Sequence, residues 1–114
     1  MHELGILTGV VSTVTEAAQG RAITAVGLRV GTRSGVIEEA LAASWPIAIE
    51  GTDCADASLS IEMIEATVYC PQCETEQPID EFFALACPAC DFPTADLRHG
   101  REFEISYVDV ETDH

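Results

Sequence analysis

Lysine is absent from this 114-residue chain, and only five arginines stand against 20 aspartates and glutamates. A surface that grips phosphate needs clustered cations, and Arg21, Arg29, Arg33, Arg98 and Arg101 are scattered. Nucleic acid is therefore disfavoured as a partner. The formal net charge of −15 describes a solvated, self-repelling surface that favours solubility. It also suits a salt-rich cytoplasm, where such repulsion is screened. Long apolar runs are missing too: none approaches the roughly 18–20 residues of a membrane span. No charged-then-apolar leader opens the chain, so the expected location is the cytoplasm, with no membrane partner. A convincing nucleophile–base pair, a phosphate loop and an open catalytic metal site are also lacking, and no enzymatic activity is expected.

What is present is an apolar share of 47%, enough for a modest core. Leu4, Leu7, Val11, Val14 and Ala18 recur in steps of three and four, which predicts one apolar face of a helix running to about Gln19. Gly20 is its stop, and Gly5 and Gly9 read as points of close packing. Val26, Leu28 and Val30 alternate with Ala25, Gly27 and Arg29, as in a half-buried strand. After the turn GTRSG, Ser34 can cap a second helix with Glu38 and Glu39 in its first turn. Val36, Ile37, Ala40, Leu41 and Trp45 would form its buried face, and Pro46 should kink or end it. Leu59, Ile61 and Met63 face inward on a second strand. Phe103, Ile105 and Tyr107 do so on a third, whose alternation slips at Val108 and Val110 and predicts a bulge or an end there. The fold class expected is α+β: a small three-stranded sheet with two helices, plus an inserted four-cysteine module. Residues 1–67 and 98–114 would form the α/β domain and 68–97 the insert.

The insert reads YCPQCETEQPIDEFFALACPACDF. Its two C-x-x-C turns, Cys70/Cys73 and Cys87/Cys90, each place two thiolates on a tight turn, so that one tetrahedral ion is held from both sides. A stretch of this size cannot build its own core, and metal binding would supply its folding free energy. Four sulfurs leave no open position, which makes the site structural. Zinc is the expected ion. A rubredoxin-type iron site also uses paired C-x-x-C but commonly has Gly after each second Cys, where this chain has Glu74 and Asp91. Thioredoxin-like redox chemistry would need a single motif at a helix start. Phe82, Phe83 and Phe92 read as the insert's apolar packing, Cys54 as a small semi-buried thiol, His99 as part of a turn and His114 as a terminal residue.

The chain begins MHELGILTGVV. The α-amine of Met1, the following backbone nitrogen and the imidazole of His2 lie within one chelating reach, and the amide or carboxylate of Glu3 adds a fourth donor. Such a nitrogen-rich set suits Ni(II) or Cu(II) far better than Mg(II) or Ca(II). Termini are ordinarily loose, but a helix starting at once would hold this one against the fold.

The MHE start, the text VGTRSGVIEEAL, the EGT turn, the paired CPxC knuckles and the closing GREFEI together resemble the HypA/HybF family of nickel metallochaperones for hydrogenase maturation. The resemblance runs nearly end to end. It implies that His2 is the essential nickel ligand, helped by the Met1 amine and Glu3, and that Cys70, Cys73, Cys87 and Cys90 hold a structural zinc. It further implies the GTPase HypB and the [NiFe]-hydrogenase large subunit as partners, with urease as a second client in some organisms. Leu4, Cys54 and Pro46 depart from the family's usual residues. The alternative reading is a zinc-ribbon adaptor between proteins, with the MHE start incidental.

Overall fold

A computed structural model describes residues 2–112 of the chain. The order of elements is α1 (Glu3–Ala18), β1 (Ile23–Gly31), α2 (Glu38–Ile49), β2 (Ser58–Ile64), β3 (Thr67–Cys70), β4 (Thr75–Pro78), β5 (Leu97–His99) and β6 (Phe103–Val110). They form two three-stranded sheets, ordered β2-β1-β6 and β4-β3-β5. The first pairs β1 with β2 in parallel, Ala25 beside Ser58 through Gly31 beside Ile64. Parallel neighbours need a crossover, and α2 supplies it. The molecule is elongated, 56 × 30 × 16 Å, with the helices on the first sheet and the four cysteines on the second.

The core of the first sheet is built by the predicted inward residues of β1, where Val26, Leu28 and Val30 are fully buried against Leu7, Val14 and Leu41. Leu59, Ile61 and Met63 pack at its edge, as their alternation predicts. Trp45 is buried, and its indole N–H donates to the carbonyl of Ala57 at 2.9 Å. Both α+β character and the helix count agree with the sequence expectation. The insert goes further than expected, because it carries a second sheet of its own.

Several local expectations are corrected. Helix α1 buries Glu3, Leu7, Val10, Val11, Val14 and Ala18, while Leu4 is 42% exposed; the apolar stripe is rotated, and a glutamate occupies its inner start. Gly5 and Gly9 face open space, with nothing within 4 Å of an added Cβ. Ser34 does not cap α2. Its hydroxyl accepts from the N–H of Val36 at 3.2 Å, closing a local turn, and the N-cap is Ile37. Ile37 is exposed, not buried. Pro46 lies inside α2, which continues to Ile49; Pro removes only one N–H from the ladder, and the buried Trp45 and Ile49 on either side keep that turn seated.

The slip predicted in β6 is a bulge. Gly27 pairs with Tyr107 and Leu28 with Ile105, leaving Ser106 as the extra residue. Every side chain beyond the bulge changes face, so Val108 and Val110 join the core beside Phe103 and Ile105. Tyr107 moves to the opposite face, against the expectation that it points inward. Its ring lies over Gly27, where a Cβ would come 2.1 Å from Tyr107 Cε1.

The two sheets meet where β1 ends. Gly31 N–H donates to the carbonyl of Glu102 at 2.7 Å and Arg33 N–H to that of Gly100 at 2.6 Å. A Cβ on Gly31 would lie 2.1 Å from the carbonyl carbon of Gly100. Gly100, at φ +124°, in turn presses on Ala66. The Gly100 linker is thereby stacked on the last residue of β1, and Ala66 of the other linker is stacked on Gly100.

Candidate metal centre

Cys70 ends β3, and the antiparallel pairing of Cys70 with Thr75 folds the first knuckle back into β4. The second knuckle is closed by Cys87 N–H donating to Phe92 O and Asp91 N–H to Cys87 O, both at 2.8 Å. Within the knuckles, Cys73 N–H points at Cys70 Sγ at 3.3 Å, and Ala89 N–H at Cys87 Sγ at 3.4 Å. Such bonds place backbone dipoles on sulfurs that carry negative charge. All four Sγ atoms lie within 4.8 Å of one another; Cys70–Cys90 is 3.6 Å and Cys73–Cys87 is 4.0 Å.

A tetrahedral zinc with Zn–S bonds of about 2.3 Å separates its sulfurs by about 3.8 Å, and these two spacings bracket that value. The electrostatics agree. Burial pushes the Cys70 thiol up, but the Cys73 N–H and the Cys90 and Cys87 thiols outweigh it and bring Cys70 down to about 7. Cys73 is pushed up to about 12 by its Cys90 and Cys70 neighbours. One thiolate forms readily and Cys73 then resists ionising, because like charges cannot crowd unpaired. A divalent cation removes that resistance. The set fits a closed zinc centre, which would knit the two knuckles and supply no reaction site.

Glu74 and Asp91 follow the second cysteine of each knuckle at φ +55° and +62°. This is the left-handed conformation that glycine adopts most cheaply. The residue type that distinguished these turns from rubredoxin knuckles therefore does not reflect a different backbone path. The module's aromatics are also redistributed. Only Phe83 packs on its small core of Ala66, Val68 and Ile79; Phe82 is 80% exposed and Phe92 lies at the surface, against the expectation that all three pack inside.

At the other end, His2 is exposed and is the N-cap of α1 at φ 48°, ψ 30°, its carbonyl accepting from Ile6 N–H at 3.1 Å. Glu3 is buried, and its Oε2 accepts from the N–H of Ile37, the N-cap of α2, at 3.3 Å. Met1 and His114 lie outside the described residues. Cys54 is fully buried in the core of the first sheet and is not part of the four-cysteine cluster; burial, first, pushes its thiol up, as for an inert core cysteine. His99 belongs to β5, not to a turn, and its Nδ1 lies 2.8 Å from Glu102 Oε2. The spacing H-x-x-E was its signal in the sequence. Among the described residues no helix is long and apolar enough to cross a membrane.

A βαβ-containing sheet, a first helix whose Glu3 is tied to the start of α2, and a small tetrathiolate ribbon define a small metal-handling protein with a built-in structural metal site. The profile of the HypA family, described as "Hydrogenase/urease nickel incorporation, metallochaperone", matches residues 1–110. The chain belongs to that family. It is 41% identical over 108 residues to "Hydrogenase maturation factor HypA" of Chloroflexus aurantiacus, covering 92% of this chain and 95% of that one. It is 36% identical over 110 residues to the protein of the same name from Geotalea daltonii, covering 96% and 99%. The solution structure of the Ni metallochaperone HypA from Helicobacter pylori superposes with a TM-score of 0.69 at 19% identity, over 99% of this chain and 100% of that one. That likeness establishes the shared fold.

Proposed function

We propose that this chain carries Ni(II) at its amino terminus and delivers it during maturation of [NiFe]-hydrogenase, while a zinc ion stays in the ribbon. His2 supplies the imidazole, Met1 the α-amine and Glu3 its amide; Cys70, Cys73, Cys87 and Cys90 hold the zinc. The observation that carries this reading is the anchoring of Glu3 on Ile37. It fixes the start of α1 beside α2 and leaves the exposed His2 at the edge of a defined surface. A cargo ion needs accessible donors that can release it, and a closed thiolate set does not offer them. Residues 1–67 and 98–114 then form the nickel-binding unit and 68–97 the zinc-binding one.

The protein acts in the cytoplasm and catalyses no reaction. Its partners are the maturation GTPase HypB and the hydrogenase large subunit, with the urease system as a further client. Metal analysis of the untagged protein, before and after one equivalent of nickel, tests the assignment. Wild type is expected to hold one zinc and one nickel, and His2→Ala one zinc only. Retention of tight nickel by His2→Ala would overturn it.

The exposed Phe82, Leu85 and Phe92 of the ribbon favour a second reading, a zinc-ribbon adaptor in which the terminus is incidental. One residue added before Met1 separates the two. It weakens nickel binding in the carrier and changes nothing in the adaptor.

A further inference from the structure

We propose a second, open binding site for a divalent transition metal of the nickel–copper–zinc class, formed by His99 Nε2 and the carboxylate of Glu76 on the ribbon's sheet. The sheet order β4-β3-β5 puts Glu76 and His99 on strands flanking β3, with Thr67 directly opposite His99 in the register. His99 Nε2 and Glu76 Oε2 are 3.9 Å apart, and both side chains are nearly half exposed. That gap is too long for a hydrogen bond. A metal with bonds of about 2.1 Å brings two ligands to about 3.0–3.4 Å when it holds them at right or tetrahedral angles, so an exposed carboxylate needs to move by less than about 1 Å.

Each donor is already aimed by a second group. Glu102 Oε2 lies 2.8 Å from His99 Nδ1, which places the proton on Nδ1 and directs the lone pair of Nε2 outward. Metal-binding imidazoles almost always donate their other ring N–H to a carboxylate, a backbone carbonyl or water, and here a carboxylate takes that place. Glu102 is itself fixed, since its Oε1 accepts from Gly100 N–H at 2.6 Å. On the other side, Thr67 Oγ1 donates to Glu76 Oε2 at 3.1 Å. An imidazole and a carboxylate, each held from behind, with water completing the shell, suit borderline divalent ions rather than calcium or magnesium. The net charge of −15 draws such cations to the surface. This site shares no residue with the thiolates or with the amino terminus, so it stands or falls separately from the terminal nickel site.

The test uses the full-length, zinc-replete chain with one residue added before Met1, titrated with nickel chloride. Two readouts are taken: competition with a metal indicator, and the ring 15N signals of the histidines. Nickel is expected to broaden the His99 ring signals at Nε2 before those of His2 or His114. His99→Gln and Glu76→Gln should each weaken this binding at least tenfold. Glu76→Gln keeps an acceptor for Thr67 and so guards against loss of fold, which an unchanged melting temperature checks. Undisturbed His99 signals at ten equivalents of nickel, or unchanged affinity in Glu76→Gln, would reduce the cluster to an ion pair and overturn the site.

Discussion

Glu3 Oε2 accepts a hydrogen bond from Ile37 N–H at 3.3 Å, so the first residue of α1 caps the first turn of α2. Helix starts leave N–H groups without intrahelical partners, and here a residue 34 positions away supplies the acceptor. Glu3→Ala removes that acceptor, whereas Glu3→Gln retains one in the side-chain amide. We therefore expect Glu3→Ala to lower the urea midpoint and to weaken nickel binding together, with Glu3→Gln recovering most of both. If Glu3→Gln were as damaging as Glu3→Ala, the carboxylate charge and not the cap would be the operative feature.

That contact also marks where sequence reasoning stops. The thiolate cluster was legible because four sulfurs at C-x-x-C spacing have few other geometries in which to serve one ion. The inward faces of β1 and β2 were legible because a strand's period is two. The start of α1 was not. Leu4 fits an apolar stripe in one dimension, but tertiary packing turned Glu3 inward to meet α2, and no local pattern announces a partner on another helix. The ribbon's sheet was missed for a similar reason. TEQP, the sequence of β4, has little strand propensity, and it is extended because the Cys70–Thr75 pairing beside the knuckle holds it there. Tyr107 was misplaced by one residue of bulge, since a single extra residue sends the rest of the strand to the other face.

The ribbon's own apolar core is Ala66, Val68 and Ile79 with Phe83 and Leu97 against it, too little to fold alone. Removing zinc with a strong chelator, or replacing Cys73 with Ser, is expected to collapse the amide dispersion of residues 67–99 in a heteronuclear NMR spectrum. Val26, Leu28 and Val30 should keep theirs, because their core lies on the first sheet. Simultaneous loss of both sets would show that the two sheets unfold as one unit.

Glu102 supplies the acid sensitivity of the junction. The His99 side chain, first, and the Gly100 N–H hold its carboxyl down at about 2, from an ordinary value of 4.5. A carboxyl depressed on folding stabilises the native state above its unfolded pKa, and that contribution disappears as pH falls through the folded one. The window is therefore from about pH 4.5 down to about 2. Glu102→Gln is expected to be less stable than wild type at pH 6 and to converge with it toward pH 2. Urea titrations at each pH measure this, and parallel curves would show that the contact does not titrate.

Two glycines on β1 make a paired steric test. At Gly27 an added methyl meets the ring of Tyr107, a surface side chain that is 43% exposed and can swing away. At Gly31 it meets the backbone of Gly100 and Arg101, which cannot move without separating the two sheets. Gly27→Ala should cost about 1 kcal/mol, and Gly31→Ala about 3 kcal/mol or more, at the upper end of overpacking effects. Thermal and urea unfolding rank them, and equal losses would contradict the rigid stacking of the Gly100 linker on Gly31.

The charge balance sets the response to salt. Arg29 lies 3.6 Å from Glu62 and 3.9 Å from Glu104, and Arg98 lies 2.7 Å from Asp96. These pairs are exposed, and exposed pairs contribute little. Against them stands a net charge of −15 on a narrow, elongated molecule whose acidic groups repel one another in the folded state. Raising monovalent salt from about 0.01 M to 1 M shortens the screening length from about 30 Å to about 3 Å. It therefore removes the many long-range repulsions while weakening only a few short-range attractions. The zinc-replete protein is expected to melt several degrees higher in 1 M potassium chloride than in 0.01 M, with most of the gain complete by about 0.3 M. Circular dichroism melts at fixed pH provide the measurement. A fall in melting temperature over that range would mean that the arginine pairs outweigh the excess of carboxylates, and the acidity would then be a local pairing device instead of a source of repulsion.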